Sequence, residues 1–411
     1  MTDAMTEPDG RQIWRPTTAE IDLGAVSDNV AAICNLVAPS GVCAVVKANG
    51  YGHGAVETAW AAIRGGASWL AVALVEEAVE LRASGIEVPI LVLSEFPASA
   101  AAAVVAHRLT ATVYSHDRLD LLDAVAGAAG AVVDVHLKVD TGMHRVGCDP
   151  HDAVALASAA GSKGNLRHTG TFTHLATADE PAKPYTRTQL DRFEGVLMKL
   201  RTAGVDPGVV HAANSAGAIA HPRARYDMVR VGVAIYGNDP DAELRTSTFG
   251  LRLKPVLTFR SEVSFVKVLG AGARVSYGLI HGLTAETIVA TVPVGYADGV
   301  PRRLSSVGGE VLIGGRRRPM LGRVTMDQLL VDCGPADGRR SAGPPVVAGD
   351  EVVLLGHQAD HAITPWEWAV KLDTIAYEIT CSLSARVPKR YVYGPYPDGP
   401  VTKGVSHDGR R

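Results

Sequence analysis

The sequence predicts an α/β protein: an N-terminal (β/α)8 barrel over residues 13–245, followed by a mainly antiparallel β domain over 246–393. Three observations predict it. Up to Tyr236, eight short apolar runs alternate with alanine-rich helical stretches, and eight is the number of parallel strands that closes a barrel. After a polar link at 238–250 the texture changes to β-rich runs separated by Gly/Pro turns. Lysine, histidine, asparagine and serine residues fall at the ends of the apolar runs, where barrel enzymes keep their reactive groups. A doubly wound open sheet is the alternative. No G-x-G-x-x-G follows the first run, which weakens a dinucleotide-binding reading.

The barrel strands are expected at 42–47, 69–72, 90–93, 111–114, 132–139, 169–174, 209–211 and 228–231. Helical spacing lies between them, as at 55–64, 75–84 and 185–203. In the second domain, β runs are expected at 256–269, 288–294, 310–313, 319–321, 329–332 and 351–355, with helices only at 364–371 and 374–382. Asp373 is expected to cap the last of these, and 334–349 to form a loop. Arg316-Arg317-Arg318 follows Gly314-Gly315 and reads as a solvated hairpin tip. Residues 1–12 and 397–411 are expected to be disordered.

Composition narrows the function. Forty basic residues against 43 acidic ones leave a net charge of −3, which gives no support to nucleic-acid or membrane-surface binding. No run of eighteen apolar residues and no signal-peptide core are present, so neither a span nor secretion is expected. Five scattered cysteines without CxxC spacing point to reduced thiols in a cytoplasmic protein.

The most informative stretch is Val45-Val46-Lys47-Ala48-Asn49-Gly50-Tyr51-Gly52-His53-Gly54. A lysine that ends a buried strand loses hydration, so its pKa falls and the neutral nucleophile becomes accessible. That is what Schiff-base chemistry with an aldehyde cofactor requires. The ordinary reading of Lys47 is a strand-end lysine in a surface loop.

Along the fifth run, Val133, Val135, Leu137 and Val139 share one face, and Asp134, His136, Lys138 and Asp140 share the other. In a barrel the second face points inward, so Lys138 must find an acidic partner, lose its proton or be modified. Arg145 returns toward that strand end and suits carboxylate recognition. His136, His144 and His151 lack metal-ligand spacing. His174 ends the sixth run. Asn214 and Ser215 follow the seventh at a helix start, where free N–H groups favour an anion and an ordinary N-cap explains the residues equally well. Gly232 and Val233 follow the eighth. Arg230, a permanent charge in an apolar strand, needs a partner.

Taken in order, these segments resemble the alanine racemase family over about residues 13–393. The resemblance rests on the lysine decapeptide, Leu137-Lys138-Val139-Asp140-Thr141-Gly142-Met143, Asn214-Ser215, the Arg230 to Gly237 segment, Arg274-Val275-Ser276-Tyr277-Gly278, and Gly322-Arg323-Val324-Thr325-Met326-Asp327-Gln328. It implies that Lys47 carries pyridoxal 5'-phosphate covalently. Tyr51, Ser215, Gly232, Val233 and Tyr377 would hold the phosphate, with Asn214 close by. His174 would lie near the pyridine ring, and Arg230 would face the ring nitrogen. Arg145 would hold the substrate carboxylate or the cofactor's phenolate side, and Met326 would offer a backbone contact to substrate. Lys138 would be carbamylated, an anion positioning Arg145.

The resemblance implies interconversion of L- and D-alanine by two bases, Lys47 and Tyr277. Tyr277 would come from a partner subunit, so a homodimer is implied. The role would be the supply of D-alanine for bacterial cell-wall peptidoglycan. Thr325 and His144 depart from residues common in the family and leave the fine shape of the pocket open. A racemase of broader specificity is an alternative. A barrel-type decarboxylase using the same cofactor would set an acidic residue at the ring nitrogen, where Arg230 stands. A non-catalytic carrier of the cofactor would lack the β domain.

Overall fold

The computed structural model describes residues 5–6, 12–336 and 345–393. The expected tail at 397–411, most of 1–12 and the middle of the 334–349 loop lie outside the described residues. Met5–Thr6 and Gln12–Ile13 pair as a short antiparallel ladder.

Eight parallel strands close into a barrel: Gly41–Val45, Trp69–Val72, Ile90–Val92, Thr110–Val113, Val133–Lys138, Leu166–Phe172, Val209–His211 and Met228–Val231. They run round the barrel in chain order, and the last closes on the first with Arg230 opposite Cys43. Most of these strands are apolar and buried, as expected of strands covered by helices on one side and filled by side chains on the other, while Val133–Lys138 and Leu166–Phe172 carry most of the polar residues. Two of the surrounding helices show how they pack. Leu23–Val37 opens on Asp22, whose carboxylate accepts the Ala25 N–H at 2.9 Å, and buries Val26, Val30, Ile33 and Val37 at helical spacing. Tyr185–Thr202 buries Leu190, Phe193, Leu197 and Leu200 in the same way.

The second unit is a ten-stranded sheet. Its order across the sheet is Phe265–Leu269, Thr287–Val292, Leu329–Pro335, Arg316–Leu321, Glu310–Ile313, Glu351–Gln358, Leu257–Glu262, Thr18–Asp22 and Lys389–Val392, with His361–Ile363 on Glu351–Gln358. Thr18–Asp22 comes from the stretch expected to form the barrel. It pairs antiparallel with Leu257–Glu262 and parallel with Lys389–Val392, so the chain's first long strand belongs to the sheet of its last.

Some expectations change. The tip of the Glu310–Ile313 hairpin is Gly314-Gly315, and the arginine run lies in the returning strand. Arg317 is not solvated there but half buried, paired with Glu310 at 2.8 Å and Glu367 at 2.7 Å. Asp373 does not cap the last helix. It ends Pro365–Leu372 with φ of 59°, and Ile375 stands before Ala376–Cys381. The stretch 256–269 is two strands, because Val263-Ser264 turns away between them.

Candidate active site

Every site residue expected in the barrel lies at one mouth, formed by the C-terminal strand ends. The first strand ends at Val45, and Val46 donates to Ala71 O at 2.9 Å. Lys47 therefore stands two residues past the strand, at the start of a left-handed turn. Ala48, Asn49, Gly50 and Tyr51 have φ of 51°, 52°, 62° and 54°. Three of these are not glycine, a conformation that persists only where the surroundings hold it. Glu77 supplies much of that hold. Its Oε1 accepts the Ala48 N–H at 2.6 Å, and its Oε2 accepts Ala73 and Leu74 N–H at 2.9 and 3.0 Å. Asn49 Oδ1 accepts the Ala55 N–H at 3.0 Å, tying the turn to the next helix. At Gly52 a Cβ would run into the Thr380 carbonyl, so the Ala376–Cys381 helix of the second unit presses directly on the turn. The turn lifts the Lys47 amine to the mouth. Burial lowers its pKa, the Arg145 cation lowers it further, and the Glu77 carboxylate opposes them.

Arg230 is fully buried, with no carboxylate beside it among the described residues. Its partners are neutral acceptors. Nη1 donates to His211 Nδ1 at 2.7 Å, and Nη2 donates to Thr173 O, Ala212 O and His174 Nδ1 at 2.8, 3.1 and 3.1 Å. Burial pushes the guanidinium down to about 10, which leaves it charged at neutral pH. Burial and the adjoining Arg230 hold His174 and His211 well below the usual imidazole range, so both rings are neutral. The Arg230 Nε–H has no acceptor among the described residues.

Next to it lies an anion cradle. Ser215 Oγ accepts the Gly232 N–H at 3.0 Å, which leaves the serine O–H free to donate. Gly232 has no Cβ where one would strike the Tyr51 hydroxyl. The N–H groups of Val233 and Ala234 open a 3₁₀ turn and have no acceptor among the described residues. Tyr51 packs between Tyr236 and Tyr377, with ring centroids 5.1 and 6.0 Å away. Tyr377 donates to Pro240 O at 3.3 Å. Asn214 is an N-cap, accepting the Gly217 N–H at 2.9 Å, and so supports Ser215 from below.

Lys138 is the last residue of the fifth strand, 6% exposed, and donates to Leu93 O at 3.0 Å. Burial pushes it down to about 7, and the cations Arg230, Arg145 and Lys47 add to the fall. Arg145 is exposed, with no side-chain hydrogen bond among the described residues.

Tyr277 and Met326 stand on the second unit, 71% and 51% exposed. Their loops are joined, because Ser276 donates to Arg323 O at 2.6 Å. The Met326 carbonyl accepts the Ala297 N–H at 3.1 Å. The Tyr277 hydroxyl makes no hydrogen bond among the described residues. The single chain therefore gathers Lys47, Tyr51, His174, Ser215, Arg230, Gly232, Val233 and Tyr377 about one mouth, and presents Tyr277 with Met326 on a separate exposed edge.

Sequence reasoning gave no role to Glu77, His53 or His211. His53 is buried, with Nδ1 3.0 Å from both Gly50 O and Tyr51 O, and it stacks on Tyr236 at 4.5 Å. Burial pushes it down to about 4. His211 ends the seventh strand, and the position rule that singled out Lys138 would have found it.

A closed parallel barrel with amines, imidazoles and an anion cradle at its mouth, and an antiparallel sheet appended, defines a two-domain α/β-barrel enzyme class. Residues 21–240 match the family "Alanine racemase, N-terminal domain" and 256–391 match "Alanine racemase, C-terminal domain". The alanine racemase of Symbiobacterium thermophilum is 47% identical over 377 residues, covering 92% of this chain and 97% of that protein. The crystal structure of alanine racemase from D-cycloserine-producing Streptomyces lavendulae superposes with a TM-score of 0.86 at 41% identity, covering 93% and 98%. The Bacillus anthracis alanine racemase with bound L-Ala-P gives 0.85 at 34%, covering 93% and 96%. The chain belongs to the alanine racemase family.

Proposed function

We propose that this protein interconverts L- and D-alanine with pyridoxal 5'-phosphate, in a homodimer whose sites are shared between subunits. The observation that carries this reading is Arg230: a buried cation, held by neutral acceptors, at the same mouth as Lys47 and with Nε–H left over. A decarboxylase of this architecture would be expected to have a carboxylate there, protonating the ring nitrogen. An arginine donor there would leave that nitrogen unprotonated and so disfavour side reactions.

The groups present fit the cofactor. Lys47 would hold its aldehyde carbon, while Tyr51, Ser215, Gly232, Val233 and Tyr377 would surround its phosphate with Asn214 behind Ser215. Arg230 would face its ring nitrogen beside His174. When bound, the cofactor supplies an electron-withdrawing ring that makes the amino acid's Cα proton removable. This chain's own groups do the rest. Lys47 would take or return the Cα proton on one face. Tyr277 of a second copy serves the other face, and its exposure and free hydroxyl support that role. A tyrosine has an ordinary pKa of about 10, so as a base it needs a nearby donor or cation. His174, already bonded to Arg230, would be that neighbour. Arg145 and the Met326 backbone would receive the substrate carboxylate, and carbamylated Lys138 would orient Arg145. The neutral amine that carbamylation requires is favoured by the burial of Lys138.

The division into a barrel unit, 13–245, and a β unit, 246–393, belongs to the same reading, with Thr18–Asp22 joining the sheet of the second unit. So do a cytoplasmic location, supported by five free cysteines, and a role in supplying D-alanine for bacterial peptidoglycan. Among the described residues no helix is long and apolar enough to cross a membrane.

Incubation with each alanine enantiomer in deuterated water, followed by chiral analysis, tests the function. Inversion with deuterium at Cα is expected from both directions. Release of amine or CO2 without inversion would overturn the assignment. Parallel incubations with serine measure how strict the specificity is.

A further inference from the structure

The guanidinium of Arg230 is only one member of a buried chain that runs on into the barrel. Arg230 Nη1 lies 2.7 Å from His211 Nδ1, and His211 Nε2 lies 2.9 Å from His136 Nδ1. Both imidazoles have 0% exposure. His211 is stacked on Phe172 at 4.6 Å with 7° between the planes, so its ring cannot turn over without unpacking the interior.

The two contacts of His211 set the proton order along this chain together. Arginine has donors only, so His211 must offer Nδ1 as a lone pair. A neutral His211 then carries its proton on Nε2, aimed at His136, and His136 must answer with the lone pair of Nδ1. The reverse order would set a His136 Nδ1–H against His211, move the His211 proton to Nδ1, and point it at Arg230 across 2.7 Å. Burial pushes His136 down to about 3, which agrees with a neutral ring that can accept. His136 Nε2 is buried without a partner among the described residues, packed over Gly170, where a Cβ would approach to 2.6 Å. Gly170 thus makes the room that lets His136 sit edge-on to His211.

We propose that His136 is a positioning residue, which accepts the His211 Nε2–H and so, together with Arg230 on the other side of the ring, keeps the His211 proton there and leaves its Nδ1 lone pair to hold Arg230 at the barrel mouth. Three neutral rings, in place of a carboxylate, orient the cation without cancelling its charge. The charge is then left for whatever faces Arg230 Nε. The catalytic half of the proposal rests on the racemase reading, but the proton order does not.

The test uses the full chain labelled with 15N at histidine and three forms: wild type, H136N and H136F. In the wild type, His136 and His211 should both show an unprotonated Nδ1 and a protonated Nε2. Asparagine can place Oδ1 where Nδ1 stood, so H136N should keep the His211 pattern and hold kcat within about threefold of wild type. Phenylalanine removes the acceptor, so H136F should mix the His211 tautomers and lower kcat by about tenfold, the size of one misplaced hydrogen bond, with little change in KM. A proton on His136 Nδ1 in the wild type overturns the proposal. So does an H136F chain with unaltered His211 signals, or an H136N chain as impaired as H136F. If H136F does not fold, the wild-type and H136N arms still decide. Failure of the functional reading would show separately, as a chain with these tautomers and no racemase activity.

Discussion

Glu77 Oε1 stands 2.6 Å from the backbone nitrogen of Ala48, the residue after the candidate cofactor lysine. One carboxylate from the helix after the second barrel strand therefore fixes a left-handed turn that begins at the end of the first. Its three backbone N–H partners are charge-assisted and largely unaffected by side-chain motion elsewhere.

Glu77→Ala should destabilise the chain by about 2 kcal/mol, since hydrogen bonds to a charged group contribute about 1.5–3 kcal/mol each and water replaces part of them. It should also slow cofactor capture by Lys47. Urea unfolding gives the first, and the rate at which absorbance develops on adding pyridoxal 5'-phosphate gives the second. A variant as stable and as quickly loaded as wild type would show that the turn holds itself.

Tyr277→Phe should leave stability unchanged, because the side chain is exposed and its hydroxyl bonds nothing in its own chain. Racemisation should fall by about a hundredfold or more, the usual contribution of a positioned acid–base group. Cofactor absorbance should be retained. An unaltered rate removes Tyr277 from the proposed pair of bases.

For Lys138 the prediction concerns pH. The folded-state pKa is lowered to about 7, whereas an unfolded lysine titrates near 10.4. Between those values the unfolded chain binds a proton that the folded chain has released. Stability should therefore rise with pH from about 7 to 10.4 and be flat with respect to this group below 7. In CO2-free buffer, wild type should gain stability over Lys138→Met across that window. Added bicarbonate should stabilise wild type alone, by binding the folded state. Parallel pH profiles for the two proteins would contradict the buried neutral amine, and a bare Nζ in bicarbonate-grown crystals would contradict the carbamate.

Asp298 has a fully buried side chain. It accepts from Arg15 at 2.7 Å and from the Gly295 N–H at 2.9 Å, with Arg386 3.7 Å away. The turn it closes donates Tyr296 and Ala297 N–H groups to the Thr325 and Met326 carbonyls at 3.0 and 3.1 Å. Asp298→Ala should cost about 3 kcal/mol, the scale for breaking a buried pair by removing one partner. It should also raise KM for alanine more than it lowers kcat, by loosening the Met326 loop. Differential scanning calorimetry and steady-state kinetics measure the two effects. A KM equal to wild type would detach this network from substrate binding.

The barrel was legible because its strands are short, apolar and separated by helical spacing. Three of them, Trp69–Val72, Val209–His211 and Met228–Val231, fall on the residues expected. Lys47 was found by its motif, but its left-handed turn was not, since Ala48 and Asn49 carry no sequence sign of φ near +50°. Glu77 was hidden because a first-turn glutamate on a helix is ordinary, and only the fold brings it to Ala48. Thr18–Asp22 was missed as a sheet strand because its partners lie some 240 and 370 residues further on, and alternation in five residues does not say which sheet they join. The partners of Arg230 were legible as a need, not as an identity. A buried arginine suggests a carboxylate, and here imidazoles and carbonyls serve.

Lys389–Val392, the last described strand, lies beside the strand at residues 18–22. On the ribosome, that early strand therefore gains its first neighbour only when residues 257–262 emerge, and its second only when 389–392 follow. The eight-stranded ring can close first, and the sheet is then sealed by the strand at 389–392. Premature termination anywhere after the ring would strand an open edge at the beginning of the polypeptide, so truncated products should be recognised by chaperones and proteases at their N-terminal end.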